Sequence, residues 1–170
     1  MTLRRSPSSS KRENAGLRLA YLANFFGGAV VKILTTIFTV LLLYLIDASS
    51  VDTTPARVEG HGLVGVEYIL YEILITIIAA PLIETVLIAG VSALLLKVKY
   101  GLYLAMVTNG VISFFIHGGS PVDIEAAIAF ALFTLVWWWG AARYGYWHAF
   151  GLCTIAHAGA NTTATIAYFT

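Results

Sequence analysis

Five apolar runs, separated by short polar breaks, dominate the chain: Leu17–Ile46, Val64–Leu96, Leu102–His117, Val122–Ala142 and Trp147–Phe169. Each is long enough for a helix, and Gly118-Gly119-Ser120-Pro121 between the third and fourth is a strong turn signal. The first run far exceeds the 7–15 apolar residues of a signal-peptide core, so it predicts a retained anchor. Lys32 interrupts it, which places the spanning part near Gly28–Ile46, with Lys32 snorkelling to the near interface and Tyr21–Phe26 at the headgroups. The second run would measure about 50 Å as a helix, against roughly 30 Å of hydrocarbon. No turn residues flank Pro81, so the expectation is one long helix kinked there, its first turns with Glu67 and Glu72 standing proud.

Composition makes lipid the expected solvent. Apolar residues make up 59% of the 170, charged residues 11%, and mean hydropathy is +0.83. A soluble domain of this size could not bury that much apolar side chain. A nucleic-acid binder, a disordered chain and a secreted disulfide scaffold are all excluded on this basis, the last also by the single cysteine, Cys153. Residues 1–16 are basic and serine-rich and read as a disordered tail, leaving 17–170 as the transmembrane domain. With five spans, Arg4, Arg5, Lys11, Arg12, Arg18, Lys32, Lys97, Lys99 and Arg143 fall on one side; Asp47, Asp52, Glu59, Asp123 and Glu125 fall on the other, with Arg57. The positive-inside rule then puts the amino terminus inside. Trp137, Trp138 and Trp139, with Tyr144 and Tyr146, resemble an interfacial belt. The predicted fold is an all-α polytopic bundle.

Within the spans, Glu84, Asn109, Ser113, His117, His157 and Asn161 are out of place. An ionisable group at membrane depth is costly unless paired or hydrated, so its default reading is functional. Counted from the inner helix ends, Glu84 lies roughly 20 Å in, His117 about 24 Å, and His157 and Asn161 about 15 and 21 Å. Three helices thus bring polar groups to a similar depth. His157 and Asn161, four apart, share a face, and the small residues between them admit a close neighbour. A carboxylate, two imidazoles and an amide suit amide hydrolysis, with a base to take a proton from water and donors for the oxyanion. The same residue types also make a zinc site or a proton relay.

These residues resemble those of the CPBP intramembrane proteases, which include the CAAX prenyl endopeptidases and the bacteriocin-processing and abortive-infection membrane proteins. The family's proline-preceded EExxxR motif is similar to Pro81-Leu82-Ile83-Glu84-Thr85-Val86-Leu87-Ile88-Ala89, with Glu84 at the first glutamate. FxxxH is matched at its histidine by Ser113-Phe114-Phe115-Ile116-His117, and the histidine–asparagine motif in full by His157-Ala158-Gly159-Ala160-Asn161. Thr85, Ala89 and Ser113 depart from the motif glutamate, arginine and phenylalanine. The resemblance covers residues 64–170. It implies that Glu84 and His117 activate water while His157 and Asn161 stabilise the oxyanion. It leaves the need for a metal open; a zinc ion would take Glu84, His117 and His157.

The expected function is therefore an intramembrane endopeptidase acting on a membrane-associated or lipidated peptide substrate. Its partners would be the bilayer and that substrate, with no nucleic acid, and its home a prokaryotic plasma membrane. The alternative is a non-catalytic protein, a transporter-like or immunity-type binding protein that uses the same cluster as a proton relay or packing network. Asn109 and Ser113 read as packing groups, His61 and His148 as solvated, and Thr162, Thr163 and Thr165 as bonding their own helix carbonyls.

Overall fold

The structure, a computed structural model, describes residues 7–45 and 66–169. Asp47, Asp52, Arg57, Glu59 and His61, with the first six residues of the basic tail, lie outside the described residues. The described residues form an all-α bundle of five helical runs. Helix α1 is Pro7–Leu45. The second run comprises α2 (Val66–Glu72), a π-helical segment (Ile73–Ala79) and α3 (Ala80–Leu95). Then come α4 (Gly101–Ile116), α5 (Ile124–Tyr144, entered through a 3-10 turn at Pro121–Asp123) and α6 (Tyr146–Phe169).

Three stretches are long and apolar enough to cross a membrane: Ala15–Leu45, Ile69–Leu95 and Pro121–Tyr144. Helix α4 is apolar but has only 16 residues, about 24 Å of rise.

Several expectations are corrected. Helix α1 starts at Pro7, inside the segment read as a disordered tail; proline's fixed φ suits a first helical position. Its apolar stretch then begins at Ala15 and runs to Leu45, which puts Lys32 near the middle of that stretch. The second run is one continuous helical path, as expected, but its irregularity is the π segment that stops just short of Pro81. Trp137 is buried in the core, its ring edge-on to Tyr146, while Trp138 and Trp139 face outward. Three consecutive helical residues point about 100° apart, so they cannot share one face.

The bundle is inverted relative to a soluble protein. Large apolar side chains cover its outside, among them Leu22, Val30, Leu41, Ile83, Val107 and Phe115. Small polar ones are buried: Thr35, Thr39, Thr85, Ser92, Asn109, Ser113 and Thr134. The apolar core brings Ile88 and Ala89 of α3 against Phe130, Phe133 and Trp137 of α5 and Ala149, Cys153, Ala156 and Ala160 of α6.

Helix α1 packs chiefly on α6, and the contact is backbone-close. A Cβ at Gly28 would collide with the Ala156 carbonyl, and one at Gly159 with the Phe25 carbonyl. Asn109 ties three helices together: its Nδ2 donates to Thr134 Oγ1 at 2.9 Å and to Ser92 Oγ at 3.3 Å, while the Thr134 hydroxyl donates to the Phe130 carbonyl. This is the packing role expected of it. Thr162 and Thr163 bond the Ala158 and Gly159 carbonyls of their own helix, also as expected.

Candidate active site

Helix α3 turns Pro81, Thr85, Ile88, Ala89 and Ser92 into the bundle, which leaves Glu84 at the edge of that buried face. There its Oε2 lies 2.9 Å from His157 Nε2 of α6. His157 is only 4% exposed, with its ring against Phe133 (centroids 4.7 Å apart) and edge-on to Phe130 (5.4 Å). With Glu84 ionised, the carboxylate only accepts, so Nε2 carries the hydrogen and Nδ1 holds the lone pair. That Nδ1 is buried and makes no hydrogen bond.

His117 follows the last residue of α4. Gly118 (φ 130°) and Gly119 (φ 74°) reverse the chain beyond it in backbone conformations that a side chain would strain. The His117 ring folds back so that Nδ1 sits 2.8 Å from the Ser113 carbonyl. A carbonyl cannot donate, so Nδ1 carries the hydrogen and Nε2 is left as the acceptor. The ring stands edge-on to Phe130 at 5.9 Å. Phe130 therefore contacts both imidazoles. Glu84 is paired with His157, and not with His117 as the resemblance implied, because the C-terminal position of His117 turns its ring toward its own helix end.

Asn161, one turn beyond His157, donates Nδ2 to the Thr76 carbonyl at 2.8 Å. Thr76 lies within the π segment, where each N–H serves the carbonyl five residues back. For Thr76 that donor would belong to residue 81, and Pro81 has no N–H. The asparagine amide supplies a hydrogen at that point and anchors the segment leading into Glu84. Its second N–H is left for another acceptor.

A polar cavity of about 210 Å³ joins these groups. His117, His157 and Asn161 line it with Phe130, Phe133 and Ala160, and Lys32, Asp123 and Glu125 line it too. Glu84 is not among the described lining residues; it touches the cavity only through His157.

Sequence reasoning missed the charged wall. Lys32 Nζ lies 2.6 Å from Glu125 Oε1, and the Thr36 hydroxyl donates to the same oxygen at 2.6 Å; the Thr35 hydroxyl, 3.3 Å from it, is closer to the Val31 carbonyl of its own helix at 2.9 Å. The positive-inside count had set Lys32 and Glu125 on opposite sides. The available signal was the stripe Gly28, Lys32, Thr35, Thr39, spaced by three and four residues on one face of α1. Asp123 Oδ2 is engaged by the Ser120 N–H and hydroxyl in a capping box.

Two of the three departures from the motifs fall on the buried face of α3: Thr85 and Ala89 are fully enclosed, where a glutamate and an arginine would be dehydrated. Among the described residues, no three His, Cys, Asp or Glu side chains are grouped to hold a metal ion, so Glu84, His117 and His157 do not form a metal centre in this arrangement. His148, read as solvated, is exposed and has the Tyr21 hydroxyl 3.4 Å away. Comparison of the chain with family models, curated proteins and solved structures finds no match, so the likeness to the CPBP proteases rests on the motif residues alone.

Proposed function

We propose that this protein is a membrane-embedded peptide hydrolase of the CPBP type, with the Glu84–His157 pair as its base. The inverted surface supports the membrane setting, since an apolar exterior of this extent is costly in water and natural in lipid. The observation that carries the catalytic reading is the pairing of the partly exposed Glu84 carboxylate with the buried His157 imidazole, whose ring lines a polar cavity.

Water entering from that cavity, once the packing that covers His157 Nδ1 opens to admit it, gives its proton to that nitrogen as its oxygen attacks the peptide carbonyl. Glu84 holds the ring through Nε2–H and stabilises the imidazolium that forms. The second N–H of Asn161 is the donor offered to the oxyanion. His157 then returns its proton to the departing amine. With its only hydrogen committed to Glu84, neutral His157 acts as base and not as oxyanion donor. His117 Nε2 is a second acceptor, on a residue that lines the same cavity.

Peptide-level mass spectrometry of membranes from cells expressing the wild type, Glu84→Gln or His157→Gln, at matched levels, tests this. New peptide termini present with the wild type and lost in both variants support hydrolysis. A peptide map unchanged among the three favours the proton-relay reading.

A further inference from the structure

The stretch that resembles the proteases begins at residue 64, yet the cavity has a wall from α1. Lys32 and Thr36 direct hydrogens at one oxygen of Glu125, Oε1, while the Thr35 hydroxyl, 3.3 Å from it, has the nearer Val31 carbonyl for its single hydrogen. Two donors on one oxygen fix the carboxylate's rotation. They leave Oε2, which no described residue engages, as an oriented acceptor on a residue that lines the cavity with both histidines. A lysine in the middle of an apolar helix is expensive, and a pairing partner explains only that it is tolerated. It does not explain why the Thr36 hydroxyl joins it, or why the pair faces the cavity and not a packed interface.

The other cavity groups define what would fit. His117 Nε2 is an acceptor, and His157 Nδ1, enclosed in the cavity's wall, is a second one that no protein group serves. The remaining N–H of Asn161 and the remaining hydrogens of Lys32 are donors. A ligand must offer N–H and C=O groups in alternation. An extended peptide does so, and a hydrocarbon or prenyl chain does not. The cavity volume, room for about seven waters, suits a short stretch of extended backbone and not a helix about 10 Å across.

We propose that Glu125 is the second carboxylate of the site, aimed by Lys32 and Thr36, and that its Oε2 accepts a backbone N–H of an extended peptide substrate beside the bond that is cut. This rests on the hydrolytic reading. Glu125 is a positioning residue that takes no proton in the reaction.

The test extends the membrane peptide mapping to Glu125→Gln and to the double exchange Lys32→Glu with Glu125→Lys, in the full chain, with thermal unfolding of each purified protein. Glutamine keeps an oxygen for Lys32 and Thr36 but leaves the lysine without its anion and puts an NH2 where Oε2 stood, so a less stable but folded protein offers substrate a donor instead of an acceptor. The exchange restores the ion pair and moves the carboxylate to α1. The expected result is unfolding close to wild type for the exchange and a lowered but still cooperative transition for Glu125→Gln, with the wild-type termini reduced about 100-fold in both. Termini that persist in Glu125→Gln, or return in the exchange, overturn the proposal and leave a structural strut. If Glu84→Gln also leaves the map unchanged, the hydrolytic reading fails and takes this one with it. If Glu84→Gln abolishes the termini and Glu125→Gln does not, only this one fails.

Discussion

Asn161 Nδ2 donates to the Thr76 carbonyl at 2.8 Å, at the acceptor that Pro81 cannot serve in a π-helical register. One proline thus sets three things in sequence. It ends the i→i+5 pattern, it gives α6 a backbone anchor on the preceding turn, and it fixes the height at which Glu84 meets His157.

Replacing Asn161 by Leu should therefore destabilise the bundle by about 1 kcal/mol, the usual net worth of such a bond. Replacing Pro81 by Ala supplies an N–H and should relieve part of that loss when the two changes are combined. Reversible unfolding of the purified single and double variants in micelles checks the coupling; strictly additive effects would contradict the link.

Breaking the charged pair should be worse than removing it. Lys32→Met leaves Glu125 facing the cavity without its cation and should cost about 2 kcal/mol, whereas Lys32→Met with Glu125→Gln should recover most of that. The comparison is a double-mutant unfolding cycle. Equal losses in the single and double variants would mean the two side chains are independent.

The α1–α6 contact tolerates no side chain at its closest points. Gly28→Val and Gly159→Val would each drive a side chain into a carbonyl of the facing helix and should separate the two by more than a rotamer change can absorb. Expected losses are about 3 kcal/mol or failure to accumulate. Gly27→Val, one residue away with open space around it, should be near neutral. Expression level and unfolding midpoint report both.

Asn109 should couple to Thr134 but only modestly. Polar pairs between membrane helices average about 0.6 kcal/mol, so a cycle of Asn109→Leu and Thr134→Val should return a coupling of that order. No coupling would assign Asn109 to packing volume alone.

The helices were legible because apolar runs of such length, cut by Gly118–Gly119 and by the Lys97–Gly101 turn, have few other ways to fold. So was the face of α6, since His157 and Asn161 sit one turn apart. The partner of Glu84 was not, because depth along a helix says nothing about rotation around it: His117 sits at the right height but closes on its own Ser113 carbonyl. The wall from α1 was hidden for a related reason. A lysine near the start of a presumed span looks like an interface residue, and only the continuous helix from Pro7 reveals that Lys32 lies deep enough to meet Glu125. The tryptophans misled by composition: a triplet in sequence is three directions in space, and one of them is core.

The central claim, that Glu84 and His157 activate water against a peptide bond, is tested most directly in labelled water. A peptide spanning a terminus found in cells would be incubated in H2(18)O with the purified protein in liposomes, and the products weighed. The account predicts a single heavy oxygen in the new carboxyl terminus with the wild type, and no product with Glu84→Gln. Cleavage by Glu84→Gln at the wild-type rate, or an intact peptide with a well-folded wild type, would contradict it.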